Sequence, residues 1–327
     1  MIDAFTSTEN LQMNILLASD GSRYAMEAAS FLRSHLDPAA NVRIELAAVI
    51  DPPGHATASA ASSRSPEDPD RQQERARTWL ERTCEELGPE LAPARSRILY
   101  GSPEDVLVRE ACRHDLVVAG VKGCGAAPFF ELGRVARALL RHADCSVLLV
   151  RNQRAAGSPG NSRAEATDGT PAFRVIVSTA LAEDGMPAGW SMLQPFALSR
   201  ASLEVVTVLD RATRSSGGGP EVDHRARTRR WLTRTVGRLR VPSGQPRCAL
   251  LEGRPGAEIE RHALETGADL LVVGARRGGT PGPGPLGSTA RELAWRAPCS
   301  VLTVRHRQLV PTIEMVSTAE ARADIQA

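Results

Sequence analysis

The sequence predicts an α/β fold of two tandem, doubly wound domains, each built on a five-stranded, mostly parallel sheet. One pattern occurs twice. Asp115-Leu116-Val117-Val118-Ala119-Gly120 is followed by Gly123 and Gly133-Arg134, and Asp269-Leu270-Leu271-Val272-Val273-Gly274 by Arg277 and Gly287-Ser288-Thr289. Gly120 to Gly274 and Gly133 to Gly287 are each 154 residues apart, and Cys145 and Cys299 open the next strand at the same offset, which marks a duplication of about half the chain. Short strands, apolar on both faces, also alternate with amphipathic helices, as a parallel sheet covered by helices requires. A length of 327 residues suits two such units.

The elements follow in order. Asn14 to Ser19 reads as a buried strand entering the turn Asp20-Gly21-Ser22. Tyr24, Ala28, Phe31, Leu32 and Leu36 fall near helical spacing over 23–36, and Pro38 stops that helix. Ile44 to Ile50 is the second strand, and Asp51 to Asp70 a surface loop rich in Pro, Ala, Ser and Gly. Then come a helix from Arg71 to Leu87 carrying Trp79, strand Arg95 to Tyr100, helix Pro103 to Cys112, strand Leu116 to Gly120, helix Phe130 to His142 and strand Ser146 to Arg151. The second half repeats this order: strand Phe173 to Thr179, a helix ending near Arg200 with Pro195 as an irregularity inside it, and strand Leu203 to Leu209. Helix Asp223 to Leu239, strand Arg247 to Leu251, helix Ala257 to Thr266, strand Leu270 to Gly274, helix Thr289 to Arg296 and strand Val301 to Arg305 complete it. Trp79 and Trp231 occupy one point of the same helix and read as core anchors. The boundaries are 11–151 for the first domain, 152–171 for a linker poor in large apolar residues, 172–306 for the second domain and 307–327 for a polar tail.

Composition excludes several functions. The balance of 40 basic and 38 acidic residues leaves +2, which does not point to nucleic acid, and the run Arg225-Ala226-Arg227-Thr228-Arg229-Arg230 without interleaved aromatics reads as a solvated helix face. No apolar stretch is long enough for a membrane span and the first ten residues are unlike a leader, so a soluble cytoplasmic protein is expected. The six cysteines have no CxxC or zinc-ligand spacing, and Cys145 and Cys299 read as small buried hydrophobes. The seven histidines form no HxxxH or HExxH, and His114, His142 and His262 are expected at the surface or at helix ends. No GxSxG elbow, GxxxxGK[ST] loop, GxGxxG fingerprint after either first strand, or SGGxD[ST] pyrophosphatase signature is present. No catalytic or metal-ligating constellation is legible. Asp20 is the one visible general base, enough at most for slow hydrolysis.

The glycines carry the chemistry that is legible. Gly120 ends a strand at the edge where open parallel sheets bind ligands, Gly123 lets backbone approach a ligand without a Cβ, and Gly133 precedes a helix whose free N–H groups favour an anion. Gly287-Ser288-Thr289 is an equivalent helix start.

With these motifs in place the chain resembles the universal stress protein family in its tandem two-domain form. Its ATP-binding members carry G-2x-G-9x-G-(S/T) after the fourth strand and an Asp at the end of the first. Here Gly120, Gly123, Gly133 and Asp20 match, as do the openings Gly101-Ser102-Pro103 and Gly253-Arg254-Pro255. The resemblance implies an adenine nucleotide alpha hydrolase-like fold and ATP as cofactor, with or without magnesium, its adenosine near the ends of strands one and two and its phosphates on the glycine loop. It implies a first site of Ala18, Ser19, Asp20, Val49, Gly120, Lys122, Gly123, Gly133, Arg134 and Val135, and a weaker second one of Val208, Gly274, Arg276, Arg277, Gly287, Ser288 and Thr289. Departures from the pattern are specific. Arg134 stands where the family has Ser or Thr, Ala180 replaces the second half's Asp, and Arg277 replaces its second glycine. Two functions follow as expectations: a nucleotide-responsive stress or regulatory module binding ATP mainly in the first domain, or a scaffold for protein partners that binds no nucleotide. The apolar last strands, Ser146 to Val150 and Ser300 to Val304, are expected to pair within the chain, a homodimer being the alternative.

Overall fold

The computed structural model describes residues 12–50, 68–124, 132–151, 173–179, 191–210, 221–237, 239, 241–275 and 286–305. Among these residues ten strands form one sheet: β1 (Met13–Ala18), β2 (Val42–Ile50), β3 (Arg95–Tyr100), β4 (Leu116–Gly120), β5 (Ser146–Val150), β6 (Phe173–Ser178), β7 (Ala201–Leu209), β8 (Arg247–Glu252), β9 (Leu270–Gly274) and β10 (Ser300–Val304). Their order is β3-β2-β1-β4-β5-β10-β9-β6-β7-β8. Within each half the pairs are parallel, whereas β5 and β10 meet antiparallel. Each half is therefore five-stranded, and strand order reverses direction between β1 and β4 and again between β6 and β9.

Seven α-helices cover this sheet among the described residues: α1 (Arg23–His35), α2 (Pro69–Leu87), α3 (Pro103–Ala111), α4 (Arg134–His142), α5 (Glu221–Gly237), α6 (Pro255–Thr266) and α7 (Ser288–Arg296). Alternate strand residues face opposite layers. Ile15, Leu17, Ile44, Leu46, Leu116 and Val118 pack under Ala28 and Leu32 of α1 and Ala76 and Leu80 of α2. Leu16, Ala47, Val117 and Ala119 pack under Leu107 of α3 and Ala136, Leu139 and Leu140 of α4. In the second half Leu232 and Val236 of α5 join the first of these layers, while α6 and α7 cover a separate cluster around Ile176, Val206 and Leu271. The opening Asp of each duplicated pattern ties neighbouring strands together: Asp115 Oδ2 accepts the Asn14 N–H at 2.8 Å, and Asp269 Oδ2 accepts the Arg174 N–H at 2.7 Å.

The halves join symmetrically. Val301 pairs with Leu149, Leu302 with Leu148 and Thr303 with Val147, a register centred on the two leucines, so the apolar last strands satisfy each other. On one face His35 stacks on Phe173 with ring centroids 4.1 Å apart, and Phe31 meets both rings edge-on. The end of α1 also bonds to the second half, through Asp37 N–H to Pro195 O (2.9 Å) and Ala197 N–H to His35 O (2.8 Å).

Several expectations need correction. The helix expected from Phe130 begins at Arg134, because Gly133 is extended (φ −68°, ψ 167°) and its N–H turns back to Val121 O; residues 130 and 131 lie outside the described residues. The helix expected to end near Arg200 is, over 191–200, two single 3-10 turns at Ser191–Leu193 and Leu198–Arg200. Pro195 cannot donate to a helical ladder, and its carbonyl instead accepts from Asp37. His114, expected as a surface or capping residue, is buried and takes the capping place: its Nδ1 lies 2.9 Å from the Glu110 carbonyl in the last turn of α3 and its Nε2 3.6 Å from Glu45, while His262 Nε2 lies 2.9 Å from Glu204. Glu45 on β2 also meets Arg97 at 3.4 Å, and Glu204 holds the matching place on β7. Cys145 and Cys299 are buried as expected, and burial pushes the Cys299 thiol up to about 12. Ala180, Arg276, Arg277, the linker 152–171 and the tail 307–327 fall outside the described residues.

Candidate functional site

In the first half the carboxyl ends of β1 and β4 meet at the reversal in strand order, where an open α/β sheet presents a crevice. β1 runs into a tight turn in which Asp20 Oδ1 accepts the Ser22 N–H at 3.0 Å, Gly21 takes φ +67°, and Ser22 caps α1 by accepting the Ala25 N–H. The other carboxylate oxygen crosses to the loop after β4: Asp20 Oδ2 accepts the Cys124 N–H at 2.8 Å. The Cys124 thiol returns a contact to Asp20 O at 3.1 Å, and burial, then the Asp20 charge, raises its pKa. A Cβ on Gly123 would stand 2.5 Å from Asp20 Oδ2, so glycine is what allows this approach.

The glycine loop closes on itself. Val121 N–H donates to Val150 O at 3.1 Å, Gly133 N–H to Val121 O at 2.7 Å, and Arg137 N–H to Gly133 O at 3.1 Å. A Cβ on Gly133 would lie 3.3 Å from Lys122 Cα and 3.6 Å from Gly123 N. Asp20, Lys122, Gly123 and Gly133 therefore converge, beside an α4 amino terminus that no side chain among the described residues caps. Such a terminus offers unpaired N–H groups and the positive end of the helix dipole.

Other expected site residues divide by position. Ala18, Val49 and Val135 are half-buried against the α3–α4 layer. Gly120 answers to packing: a Cβ there would stand 2.6 Å from Tyr24 Cβ and 2.7 Å from Tyr24 O, so the close approach of α1 explains it. Ser19 is buried and its hydroxyl lies 2.7 Å from that of Thr83 on α2. Arg134 is exposed and its Nε lies 3.2 Å from Glu104 on α3, an ion pair between helices. Sequence reasoning missed Arg75, whereas Trp79, read there as a core anchor, is half-buried against the core as expected. The Trp79 indole lies against Gly21, where any Cβ would collide with the ring, and the Arg75 guanidinium stands 5.1 Å over that ring. The signal available was the Arg-Ala-Arg-Thr run on both second helices, with Arg75 and Trp79 spaced as are Arg227 and Trp231.

The second half repeats the closure, and its sequence has Ala180 where the first half has Asp20. Ala275 N–H donates to Val304 O at 2.8 Å, Gly287 N–H to Ala275 O at 2.7 Å, and Arg291 N–H to Gly287 O at 2.9 Å. Gly274 ends β9, Gly287 is the extended cap of α7, Ser288 is exposed, and Val208 packs on the α6–α7 layer. At the end of β6, Thr207 Oγ1 donates to Thr179 O at 3.0 Å. A separate cleft of about 310 Å³, lined by Gln12, Pro38, Ala40 and Glu90 among others, opens at the amino edge of the first half's sheet and holds none of these residues.

The universal stress protein family model matches residues 13–151 and 191–305, more than half of the chain. The chain belongs to the universal stress protein family. Solved structures agree on the fold. A universal stress protein from Archaeoglobus fulgidus superposes with a TM-score of 0.60 over 89% of this chain and 98% of its own, at 17% identity. A Pseudomonas aeruginosa structure of the same description gives 0.54 over 90% and 94%, at 14% identity. Curated universal stress protein relatives align over a shorter stretch: one from Staphylococcus epidermidis is 36% identical over 61 residues, and one from Staphylococcus aureus 33% over 61 residues. Each alignment covers 18% of this chain, which spans only 37% of the length of those relatives. Among the described residues no helix is long and apolar enough to cross a membrane.

Proposed function

We propose that the first half binds an adenine nucleotide, ATP by the resemblance of its glycine spacing, and that the chain serves as a nucleotide-responsive module of the cytoplasm. The observation that carries this reading is the convergence of the Asp20 carboxylate with Gly123 and Gly133 beside the uncapped start of α4. The parts suit the two ends of such a ligand. Ala18 and Val49 offer apolar surface to a purine, and each Asp20 oxygen keeps acceptor capacity beyond its one backbone N–H, enough for a ribose hydroxyl. Lys122, the Gly123 backbone and the α4 amides offer charge and donors to phosphates. Magnesium would arrive already bound to the triphosphate.

A scaffold that binds no nucleotide is the second reading. Two observations favour it: Arg134 is turned to Glu104, and both Asp20 oxygens already hold backbone amides. Denaturing the purified protein and chromatographing what is released separates the two. Adenine nucleotide at up to two equivalents supports the first reading; none, together with no calorimetric response to added ATP, supports the scaffold.

A further inference from the structure

The two halves exchange arginines at their seam. Arg151, one residue beyond β5, donates its backbone N–H to Ser300 Oγ at 3.3 Å. Its guanidinium donates to the carbonyls of Ala294 (2.9 Å), Trp295 (3.2 Å) and Ala297, the carboxyl end of α7. Arg305, one residue beyond β10, mirrors it. Its N–H donates to Ser146 Oγ at 3.2 Å, and its guanidinium to Leu140 O at 2.7 Å in the last turn of α4. Arg151 and Arg305, Ser146 and Ser300, and Leu140 and Ala294 are all one repeat offset, 154 residues, apart. Arg305 is only 8% exposed, so this contact is built into the core of the seam.

What each arginine holds is a glycine-loop helix. α4 begins at the first half's Gly133 and ends on the second half's Arg305; α7 begins at Gly287 and ends on the first half's Arg151. Each helix is nine residues long, so its carboxyl end is only two to three turns from the amides that face the loop. A guanidinium there satisfies carbonyls that have no partner within the helix and sits at the negative end of its dipole.

We propose that Arg305 and Arg151 are crossed positioning residues: each half supplies the arginine that sets the anion-binding helix of the other. The inference rests on the binding reading above for its ligand but not for its geometry. An arginine that merely glued the seam would loosen both halves alike. A crossed pair predicts a different result.

The test uses the full chain as wild type, Arg305→Ala, Arg151→Ala and Arg305→Lys, the last keeping charge while losing the guanidinium fork. Hydrogen exchange without ligand reads the two helices directly. Arg305→Ala should lose protection at amides 137–140 of α4 while α7 keeps it, and Arg151→Ala should do the reverse at 291–294. Calorimetry with magnesium-ATP reads the site: Arg305→Ala should weaken first-half binding about fivefold, more than Arg151→Ala does, with Arg305→Lys between Arg305→Ala and wild type. Equal loss of protection in both helices from either variant, or none from both, overturns the proposal. If wild type binds no ATP, the binding reading fails by itself, and the exchange pattern alone decides this inference. If Arg305→Ala does not fold, Arg305→Lys carries the same comparison.

Discussion

The two glycine loops close through the same backbone bonds, yet among the described residues only the first has a carboxylate against the loop. Gly133 to Val121 and Gly287 to Ala275 are both 2.7 Å, which makes the closure a property of the fold. The Asp20 bridge to Cys124, and the glycine at 123 that admits it, are additions beyond what that closure needs. The sequence places Ala180 and Arg277 at the corresponding points of the second half. A duplicated fold has thus retained its frame twice, while the sequence keeps the Asp and the second glycine of the pattern in one copy.

The largest expected effect concerns the seam that both halves share. Burial lowers the His35 pKa from 6.5 to about 4 in the folded protein. The unfolded chain therefore binds this proton first, so the stability that the neutral, stacked ring lends is full above about pH 6.5, declines as pH falls and levels off below about 4. The loss approaches about 3 kcal/mol at the acid limit. Melting followed from pH 7 downward should show a steeper decline in wild type than in His35→Phe, with both halves unfolding together. Parallel profiles for the two proteins would remove His35 from the account.

Next is Gly120→Ala. Its Cβ would be forced against Tyr24, costing about 1–3 kcal/mol and lowering the denaturant midpoint. Hydrogen exchange should show the first half losing more protection than the second. A neutral Gly120→Ala would mean that this glycine is retained for ligand rather than for packing, which would sharpen the site at the expense of the fold argument.

Asp20→Ala should weaken ATP binding about tenfold, ~1.4 kcal/mol, and Asp20→Asn less, because an amide oxygen still accepts from the Cys124 N–H. Equal affinities for wild type and Asp20→Ala in calorimetry would reduce Asp20 to a loop clasp and erase the difference between the halves. The smallest effect belongs to Arg134→Ala. Exposed and paired with Glu104, it should shift stability by no more than about 0.5 kcal/mol and leave affinity within about twofold. A large loss of affinity would show that the guanidinium leaves Glu104 for the phosphates.

Much of this was legible in the sequence because repetition and periodicity are local. Strands such as Leu116–Gly120 and Leu270–Gly274 are continuous apolar runs bounded by Asp and Gly, and their structure follows the pattern. The pairing of β5 with β10 was legible for a similar reason, since two bare apolar edges have few other ways to be covered. What was not legible depends on contacts distant in sequence. Gly120 reads as a ligand glycine until Tyr24 is seen beside it, and Ser19 reads as a site hydroxyl until Thr83, on another helix, accounts for it. The seam arginines had no motif at all: Arg151 and Arg305 look like strand-ending charges, and their meaning lies in helices that belong to the other half.

The central claim is that the first half, through Asp20 and Gly123, is the principal nucleotide site. Isothermal titration of magnesium-ATP into the full chain, its Gly123→Val variant and its Gly274→Val variant tests it most directly. The account predicts a strong site that Gly123→Val removes, because its side chain would occupy the contact with Asp20, and that Gly274→Val leaves largely in place. Binding that survives Gly123→Val unchanged, or that both variants weaken equally, would contradict it.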